Sequence, residues 1–333
     1  MRRFLRFFGV FLLCIAVVLL VLRGLMGISF VMGSKDFYPP AGYFLNAKDK
    51  AVKFAVLSDT GSQNWTLERL VLEIKDNEHP DFILHLGDLV VYRNIEHMYW
   101  MMSELDRKLG AIPMYLVPGN HDVRKNKGVI DKSKYQRVFG PTYYWFSYAN
   151  TLFIGLDSST EDIDEEQWIF FEQVMKKVRP HFQHVVLFTH VPPVVPKEFG
   201  NHMLKESAVA KMSEMLKKYP VDVIFSGHVH YYSEQDFQGI PVYTTPPSGQ
   251  YFVGPVHKFG YLIASIDDTG VHVKNMYSNR KKAAEVFELF FVDLVLTDKI
   301  RWIAGGIVLA GLLFLLMGQR WRALFQHFKK NQN

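Results

Sequence analysis

Five short apolar segments of the sequence each end in polar residues that could bind a metal ion or catalyse a reaction. The clearest is Ile112–Pro118, which leads through Gly119 into Asn120, His121 and Asp122. The other four are Lys53–Leu57 before Asp59, Phe82–Leu86 before Gly87 and Asp88, Val185–Phe188 before His190, and Val221–Phe225 before Gly227, His228 and His230. In open α/β sheets, functional groups gather beyond the carboxyl ends of the strands. We therefore expect these five endings to meet at one site.

The side chains at these endings indicate a metal centre without thiolate ligands. They offer carboxylate and amide oxygens and imidazole nitrogens, a donor set that suits manganese, iron or zinc. The candidate ligands are Asp59, Asp88, Asn120, His190, His228 and His230. This set exceeds what one tetrahedral ion binds, and a carboxylate can bridge two ions about 3.5–4 Å apart. The sequence therefore favours two ions over one.

The motifs resemble those of the calcineurin-like metallophosphoesterase superfamily, in the same order and with plausible spacing. They are Asp59, Gly87-Asp88, Gly119–Asp122, Thr189-His190 and Gly227–His230. The resemblance covers roughly Val52 to Tyr277. It implies an α/β fold, a four-layer αββα sandwich of two mixed sheets flanked by helices.

The resemblance also implies a role for each motif residue. One ion would be held by Asp59, Asp88 and His230, and the other by Asp88, Asn120, His190 and His228. A hydroxide between the two ions would attack phosphorus in line, while His121 protonates the leaving oxygen or stabilises charge on the phosphate. Asp122 is expected to support His121.

The first motif departs from the commonest family pattern, Asp-x-His, because this chain has Asp59-Thr60-Gly61. In this it resembles the purple acid phosphatases, in which a tyrosine near the second motif takes the place of the imidazole. Tyr92 is the corresponding candidate here, although it lies one residue later than in those enzymes. Gln63, Asn64 or water are the alternatives.

Other polar residues near the motifs give weaker indications. Arg124, with Lys125 and Lys127, could hold the substrate phosphate or form a solvated face. His202 could border the site, and His85 is expected to pack in the sheet. Tyr143–Phe146 is expected to belong to a core hairpin.

The distribution of charge argues against nucleic-acid binding. The net charge is +5, but ten basic residues lie before residue 24 or after residue 298. Residues 24–298 carry 28 basic and all 33 acidic residues, a net charge of −5. Because nucleic-acid binding needs a basic surface on the folded domain, we expect no such partner.

Two apolar segments near the ends predict membrane attachment. Phe7–Leu22 has sixteen residues without a charge and contains Cys14, the single cysteine. With the residues up to Met32 it could form a tilted span, and a cleaved signal peptide is the alternative. Trp302–Gly318 is just long enough to cross, with a buried core helix as the alternative. Basic residues outside both spans predict cytoplasmic termini in a plasma (inner) membrane and an extracytoplasmic catalytic domain.

These features predict five regions of the chain: an anchor (1–35), a linker (36–51), the metallophosphoesterase domain (52–280), an apolar connecting helix (281–298), and a second span with a basic tail (299–333). Within the domain, apolar periodicity predicts the helices Trp65–Lys75, Asn94–Leu109, Glu165–Val178 and Met203–Lys218. Residues 125–139 are predicted to be a loop with a short helix.

The function expected from these observations is hydrolysis of a phosphomonoester or phosphodiester by a membrane-tethered, binuclear enzyme. A lipid-linked or envelope substrate would explain attachment at both ends. The alternative is an inactive, metal-binding receptor or scaffold for phosphorylated ligands, since one first-motif imidazole is missing. A nuclease or a phosphoprotein phosphatase fits the charge and the predicted location less well.

Overall fold

The structure is a computed structural model that describes residues 2–28, 43–45, 51–62, 64–91, 95–110, 112–126, 129–278 and 303–315. Tyr92, Lys127 and the predicted connecting helix 281–298 lie outside these residues, and the side chains of Asn64, Arg124 and Lys125 are not described. The chain divides into two compact units, Met1–Gly33 with Leu289–Asn333, and Ser34–Glu288. The predicted domain boundaries remain predictions.

The first unit contains two described helices, α1 (Arg2–Ile28) and α7 (303–315). They pack closely where two glycines meet, because a Cβ on Gly9 would lie 3.0 Å from the carbonyl oxygen of Gly311. The Phe8 and Phe314 rings pack edge to face beside this contact, with centroids 5.2 Å apart. Over the part of the chain that is described, no helix combines the length and the apolar character that crossing a membrane requires.

The second unit contains five helices and all fourteen strands found in the described residues. The helices are α2 (Asn64–Asn77), α3 (Ile95–Leu109), α4 (Ser133–Phe139), α5 (Glu165–Lys177) and α6 (Glu206–Lys218). The strands are β1 (Tyr43–Leu45), β2 (Val52–Leu57), β3 (Phe82–His85), β4 (Met114–Leu116), β5 (Arg124–Asn126), β6 (Val129–Asp131), β7 (Tyr144–Tyr148), β8 (Thr151–Gly155), β9 (His184–Phe188), β10 (Val223–Ser226), β11 (Ser233–Phe237), β12 (Ile240–Thr244), β13 (Gly260–Asp267) and β14 (Gly270–Tyr277).

These strands form two mixed sheets and a short hairpin. The five-stranded sheet has the order β14-β13-β2-β3-β4, with β2, β3 and β4 parallel. The seven-stranded sheet has the order β1-β7-β8-β9-β10-β12-β11, with β8, β9, β10 and β12 parallel. The hairpin pairs β5 with β6.

Aromatic side chains fill the space between the two sheets. Phe54 and Phe82 of the five-stranded sheet meet Phe153 of the seven-stranded sheet edge to face, with centroids 5.2–5.3 Å apart. Such pairs contribute about 0.5–1.5 kcal/mol beyond their buried area. The Tyr144 hydroxyl donates to the Leu116 carbonyl across the same interface, at 2.9 Å. These contacts hold the carboxyl ends of both sets of parallel strands at a fixed separation.

The helices cover the outer faces of the two sheets. Helix α2 buries Leu67, Leu70, Val71 and Ile74 against the five-stranded sheet, the helical spacing seen in the sequence. Helix α5 packs on the seven-stranded sheet, and the Asp164 side chain caps it by accepting from the Gln167 amide. The layers therefore follow the predicted order of helix, sheet, sheet and helix.

Two local predictions differ from the structure. Residues 125–139 were expected to be a loop with one short helix, but they also form β6 and most of β5. This hairpin lacks alternation of apolar and polar residues, so the sequence carries little strand signal there. Helix α6 begins at Glu206 and not at Met203, since Lys205 is still extended (φ −56°, ψ 149°).

Candidate metal centre

The two sheets supply different kinds of side chain to one site. Asp59, Asp88 and Asn120 follow β2, β3 and β4 of the five-stranded sheet and carry oxygen atoms. His190 follows β9, and His228 and His230 follow β10, in the seven-stranded sheet. Donor atoms of Asp59, Asp88 and His190 lie within 4.8 Å of one another. The structure therefore brings the six predicted ligands together, and their role in binding metal remains a prediction.

Four of these residues have a backbone conformation that non-glycine residues seldom adopt. Asp59, Asp88, His228 and His230 have φ between 55° and 69°. Each such residue costs on the order of 1 kcal/mol or more, and such strain concentrates at functional sites. The positions of these four residues therefore favour the geometry of the site over the stability of the backbone.

One group of donors surrounds the amide oxygen of Asn120. His190 Nε2 and His228 Nδ1 each lie 3.0 Å from Asn120 Oδ1, and the two nitrogens are 3.2 Å apart. His190 Nδ1 lies 2.7 Å from the Leu86 carbonyl, which can only accept a hydrogen bond. Nδ1 therefore carries the proton, and the lone pair of Nε2 faces the Asn120 oxygen.

Burial keeps these imidazoles neutral. It lowers the pKa of His190, and burial beside the His190 imidazole lowers the pKa of His228 to about 3. Neutral imidazole is the form that binds a metal.

A second group of donors is built around Asp59. His230 Nε2 lies 3.2 Å from Asp59 Oδ1, while His230 Nδ1 contacts the Tyr251 carbonyl at 2.8 Å. That carbonyl fixes the proton on Nδ1, as Leu86 does for His190. The other Asp59 oxygen accepts from the His228 amide at 2.9 Å and from the Ser58 hydroxyl.

The charges of Asp59 and His230 support each other. Burial disfavours ionisation of Asp59, but the charge and hydrogen bond of His230, with the Ser58 hydroxyl and His190, together hold the pKa of Asp59 well below its ordinary value. Burial likewise opposes charge on His230, but the charge and hydrogen bond of Asp59, with the Tyr251 carbonyl and Asp88, together raise the pKa of His230.

Asp88 lies between the two groups. Its Oδ1 is 3.6 Å from His190 Nε2 and accepts from the His121 amide at 2.8 Å. Burial and the nearby charge of Asp59 raise the pKa of Asp88 to about 7. A carboxylate that bridges two cations is expected at this position. The positive charge of the cations would stabilise the ionised form of Asp88.

The Asp122 carboxylate holds the loops that carry Asp88 and Asn120. It accepts from the amides of Asp88 and Gly119, each at 2.8 Å, and of Val90 at 3.0 Å. Burial and the charge of Asp88 raise the pKa of Asp122 to about 7. Its hydrogen bonds thus position the backbone, and the predicted support of His121 remains a prediction.

Two glycines allow this crowding. A Cβ at Gly227 would lie 1.8 Å from Ser58 Oγ, and one at Gly119 would lie 2.1 Å from Asp88 Oδ1. Either contact would displace a ligand loop. Both motifs therefore require glycine for steric reasons.

An open cleft of about 490 Å³ reaches the donors from outside. His121 borders it with a half-exposed side chain, its Nε2 3.9 Å from Asp88 Oδ2. His202 also borders it, with its ring centroid 5.8 Å from that of His228, as the sequence suggested. Substrate could therefore approach the donors beside His121.

The donor set fits metal ions. Asp59 Oδ1 is buried and meets another proposed ligand, His230 Nε2, at 3.2 Å. His190 Nε2 presents its lone pair to the Asn120 amide oxygen at 3.0 Å, an arrangement that a cation would stabilise. Asp59, Asp88 and His230 could hold one ion, and Asp88, Asn120, His190 and His228 a second.

The remaining site predictions have mixed outcomes. His85 packs in the sheet as expected, buried and 2.8 Å from Thr60 Oγ1. Tyr144 and Phe146 lie in the core hairpin as expected. Tyr92 lies outside the described residues, and Arg124 is described only as part of β5, so neither contact is tested.

Sequence reasoning missed two residues that shape the site. Tyr251 supplies the carbonyl that orients His230, and its ring stands 4.5 Å from the His230 ring. Ser158 Oγ accepts from the Val191 amide and the Thr189 hydroxyl, on either side of His190, at 2.7 and 2.6 Å. Neither lies in a motif, although the turn-forming run Pro246-Pro247-Ser248-Gly249 before Tyr251 was a usable signal.

The chain is similar to known proteins in sequence and in fold. Human serine/threonine-protein phosphatase CPPED1 is 25% identical over 218 residues, which are 57% of this chain and 68% of that protein. A probable glycerophosphodiester phosphodiesterase GpdQ of Arcobacter nitrofigilis is 30% identical over 189 residues, 51% of this chain and 64% of that protein. The structure of purple acid phosphatase PPD1 from yellow lupin (Lupinus luteus) seeds superposes with a TM-score of 0.56 at 16% identity, covering 68% of this chain and 52% of that one.

The sequence profile of the calcineurin-like phosphoesterase family matches residues 52–232. This range contains all six predicted metal ligands and His121. The chain therefore belongs to the calcineurin-like phosphoesterase family.

Proposed function

We propose that this phosphoesterase domain binds two metal ions and hydrolyses a phosphomonoester or a phosphodiester. The observation that carries the proposal is the convergence of His190 Nε2, His228 Nδ1 and Asn120 Oδ1 within 3.0–3.2 Å. The Nε2 lone pair of His190 and the Asn120 oxygen are both acceptors, and a cation bound between them would stabilise their close approach.

The protein's own residues account for positioning and proton transfer. Two ions, when bound, would supply Lewis-acid stabilisation of the phosphate charge and activate water near neutral pH. The carbonyls of Leu86 and Tyr251 orient His190 and His230 so that each presents Nε2. His121 borders the cleft and could donate a proton to the leaving oxygen, which contributes about 10²–10⁴-fold in comparable enzymes.

The cleft is compatible with either kind of ester. It is open on one side, so a second ester group could extend outward from the phosphorus. Among the described residues that line it there is no lysine or arginine, while Glu161 and Glu198 stand on its rim. Phosphate binding would therefore depend on the metal ions and on His121, unless Arg124 reaches the cleft.

We extend the proposal to membrane attachment and a lipid-linked or envelope substrate. Its support is the uncharged run Phe7–Leu22 and the close packing of α1 on α7 through Gly9 and Gly311, a contact common between membrane helices. The flanking basic residues support cytoplasmic termini in the plasma (inner) membrane and an extracytoplasmic domain.

Membrane attachment is tested by carbonate extraction of cell membranes, which should leave the chain in the pellet. The lipid proposal is tested by comparing a lipid phosphate ester in vesicles with a water-soluble ester. Equal turnover of the two esters by the full chain would contradict the proposal of a lipid-linked substrate.

The alternative function, a metal-binding receptor without turnover, rests on Gly61, where the common pattern has an imidazole. The two functions separate in one experiment on the full chain with Mn²⁺ and chromogenic mono- and diesters. The enzyme should turn over at least one ester. His121→Ala should retain both ions and lose about 10²-fold or more in rate, and Asn120→Ala should lose metal and rate together. Two bound ions without turnover would favour the receptor.

A further inference from the structure

The side chain of Gln250 occupies the space left by the missing imidazole of the first motif. Gly61 has φ +56°, and a Cβ built on it would lie 2.3 Å from Gln250 Cγ and 3.1 Å from Gln250 Cδ. A histidine at position 61 and the present Gln250 side chain could not both fit. The two positions therefore compete for one volume beside Asp59.

The backbone holds Gln250 between two proposed ligands of the first ion. The Gln250 amide donates to the Asp59 carbonyl at 2.8 Å, and the carbonyl of the next residue, Tyr251, accepts from His230. The Ser248 amide donates to the Ser58 carbonyl at 2.8 Å, which fixes the start of this segment. The segment thus runs alongside the first-motif loop.

The Gln250 carboxamide is buried without a complete set of partners. The residue is 6% exposed, and Nε2 has no hydrogen-bond partner among the described residues. Asp59, whose backbone carbonyl accepts from the Gln250 amide, pairs through Oδ1 with His230 Nε2 at 3.2 Å. Half a turn about Cγ–Cδ exchanges the two ends of the carboxamide and places Oε1 where Nε2 stands. A bound cation would then satisfy the buried amide oxygen, with Asp59 and His230 among its other ligands.

We propose that the Gln250 carboxamide oxygen completes the first metal position in place of the family's imidazole. The proposal rests on the binuclear site proposed above. The first ion would then have oxygen ligands from Asp59, Asp88 and Gln250 and a single nitrogen, from His230. A donor set so rich in oxygen favours Mn²⁺ over Zn²⁺ at this position.

The test compares the metal content and unfolding temperature of the full chain with those of Gln250→Leu and Gln250→Glu. Gln167→Leu is the matched control, since Gln167 is equally buried but bonds both the amide and the carbonyl of Asp157, at 2.7 and 3.0 Å. Each protein is dialysed against Mn²⁺, its bound metal is counted, and its melting temperature is measured with EDTA and with Mn²⁺.

We expect two Mn²⁺ per wild-type chain and one per Gln250→Leu chain, with at least tenfold weaker binding at the first position. Gln250→Leu should melt in EDTA at or above the wild-type temperature and gain less from Mn²⁺. Gln250→Glu should keep both ions. Gln167→Leu should melt lower in EDTA and keep the full gain from Mn²⁺.

Unchanged Mn²⁺ affinity in Gln250→Leu would overturn the proposal, as would a loss of stability in EDTA with an unchanged gain from Mn²⁺. Loss of one ion in Tyr92→Phe but not in Gln250→Leu would overturn it in favour of Tyr92. A wild-type chain that binds two ions but hydrolyses no ester would refute the proposed function and leave the role of Gln250 standing.

Discussion

The two sheets meet at one site but contribute to it in opposite ways. The five-stranded sheet delivers oxygen donors, and burial raises the pKa of Asp88 to about 7. The seven-stranded sheet delivers nitrogen donors, and burial lowers the pKa of His228 to about 3. Both shifts favour the uncharged form, so the metal-free site is held together mostly by neutral groups. The exception is the pair of Asp59 and His230, which joins the two sheets through opposite charges.

This difference indicates which donors limit metal binding. A cation between the sheets would stabilise the charged form of Asp88 and would share the lone pairs of the imidazoles without protonating them. The oxygen side should therefore control whether both ions bind. Each imidazole should control only the ion that it touches.

The largest effect is expected at Asp88, which lies between the donors of the two sheets. Asp88→Asn should lose both ions and lower kcat/KM by about 10³-fold or more, about 4 kcal/mol, because this carboxylate faces both groups of donors. His228→Asn should weaken only the second ion, since its nitrogen contacts Asn120 and His190. Asparagine suits both positions because it tolerates positive φ.

Metal content measured with the rate checks this prediction. Loss of both ions in His228→Asn and of one in Asp88→Asn would reverse the roles assigned to the two sheets.

A smaller effect concerns the buried residues that brace the loops of each sheet. Asp122→Ala should destabilise the chain by about 3 kcal/mol, because it leaves the amides of Asp88, Val90 and Gly119 without their buried acceptor. Ser158→Ala should cost only about 1 kcal/mol, since it removes one neutral acceptor beside His190.

Denaturant unfolding in EDTA measures both costs without the contribution of metal. Equal losses of unfolding free energy in the two variants would contradict this prediction. The Asp122 carboxylate would then stabilise the loops of the oxygen donors no more than the Ser158 hydroxyl stabilises the loop of His190.

A further effect is a pH dependence of stability that has opposite signs for the two sheets. Asp88 has a raised pKa when folded, so it binds its proton more tightly there than in the unfolded chain. Its contribution to stability therefore falls as pH rises from about 4 to about 7. His228 has a lowered pKa when folded, so between about pH 6.5 and 3 only the unfolded chain binds the proton. The contribution of His228 to stability therefore falls as pH drops through this range.

Melting temperatures in EDTA at pH 5 and pH 7.5 check these signs. Relative to the wild type, Asp88→Asn should gain stability as pH rises, and His228→Asn should gain it as pH falls. Each change should be about 2 kcal/mol at most. The exposed Asp268→Asn controls for the loss of a carboxylate elsewhere. Parallel slopes for the two site variants would contradict the opposite titration of the two sheets.

Much of the fold was predictable because the pattern of apolar residues is strong. The buried strands before each motif and the helical spacing of Leu67, Leu70, Val71 and Ile74 predicted the alternation of strands and helices. The β5–β6 hairpin was not predictable, since its polar residues resemble a loop. Membrane attachment stays a prediction, as does the metal role of each ligand.

The candidate site was only partly predictable. Asp59, Asp88, Asn120, His190, His228 and His230 stand in recognisable motifs at strand ends. Tyr251 and Leu86 act through backbone carbonyls, which every residue type has, so their side chains give no sign of this role. Gln250 lies nearly two hundred residues after Gly61, and only folding places its side chain in the space that the glycine leaves open.

The sequence by itself determined which donor atoms are available, their order along the chain, and the glycines without which their loops could not approach. The tertiary structure alone decided which imidazole nitrogen faces the site, which carboxyl group becomes hard to ionise, and which side chain fills the first motif. The physical reason is that these properties depend on distance and burial between two packed sheets. Residues brought together by that packing are unrelated in sequence position.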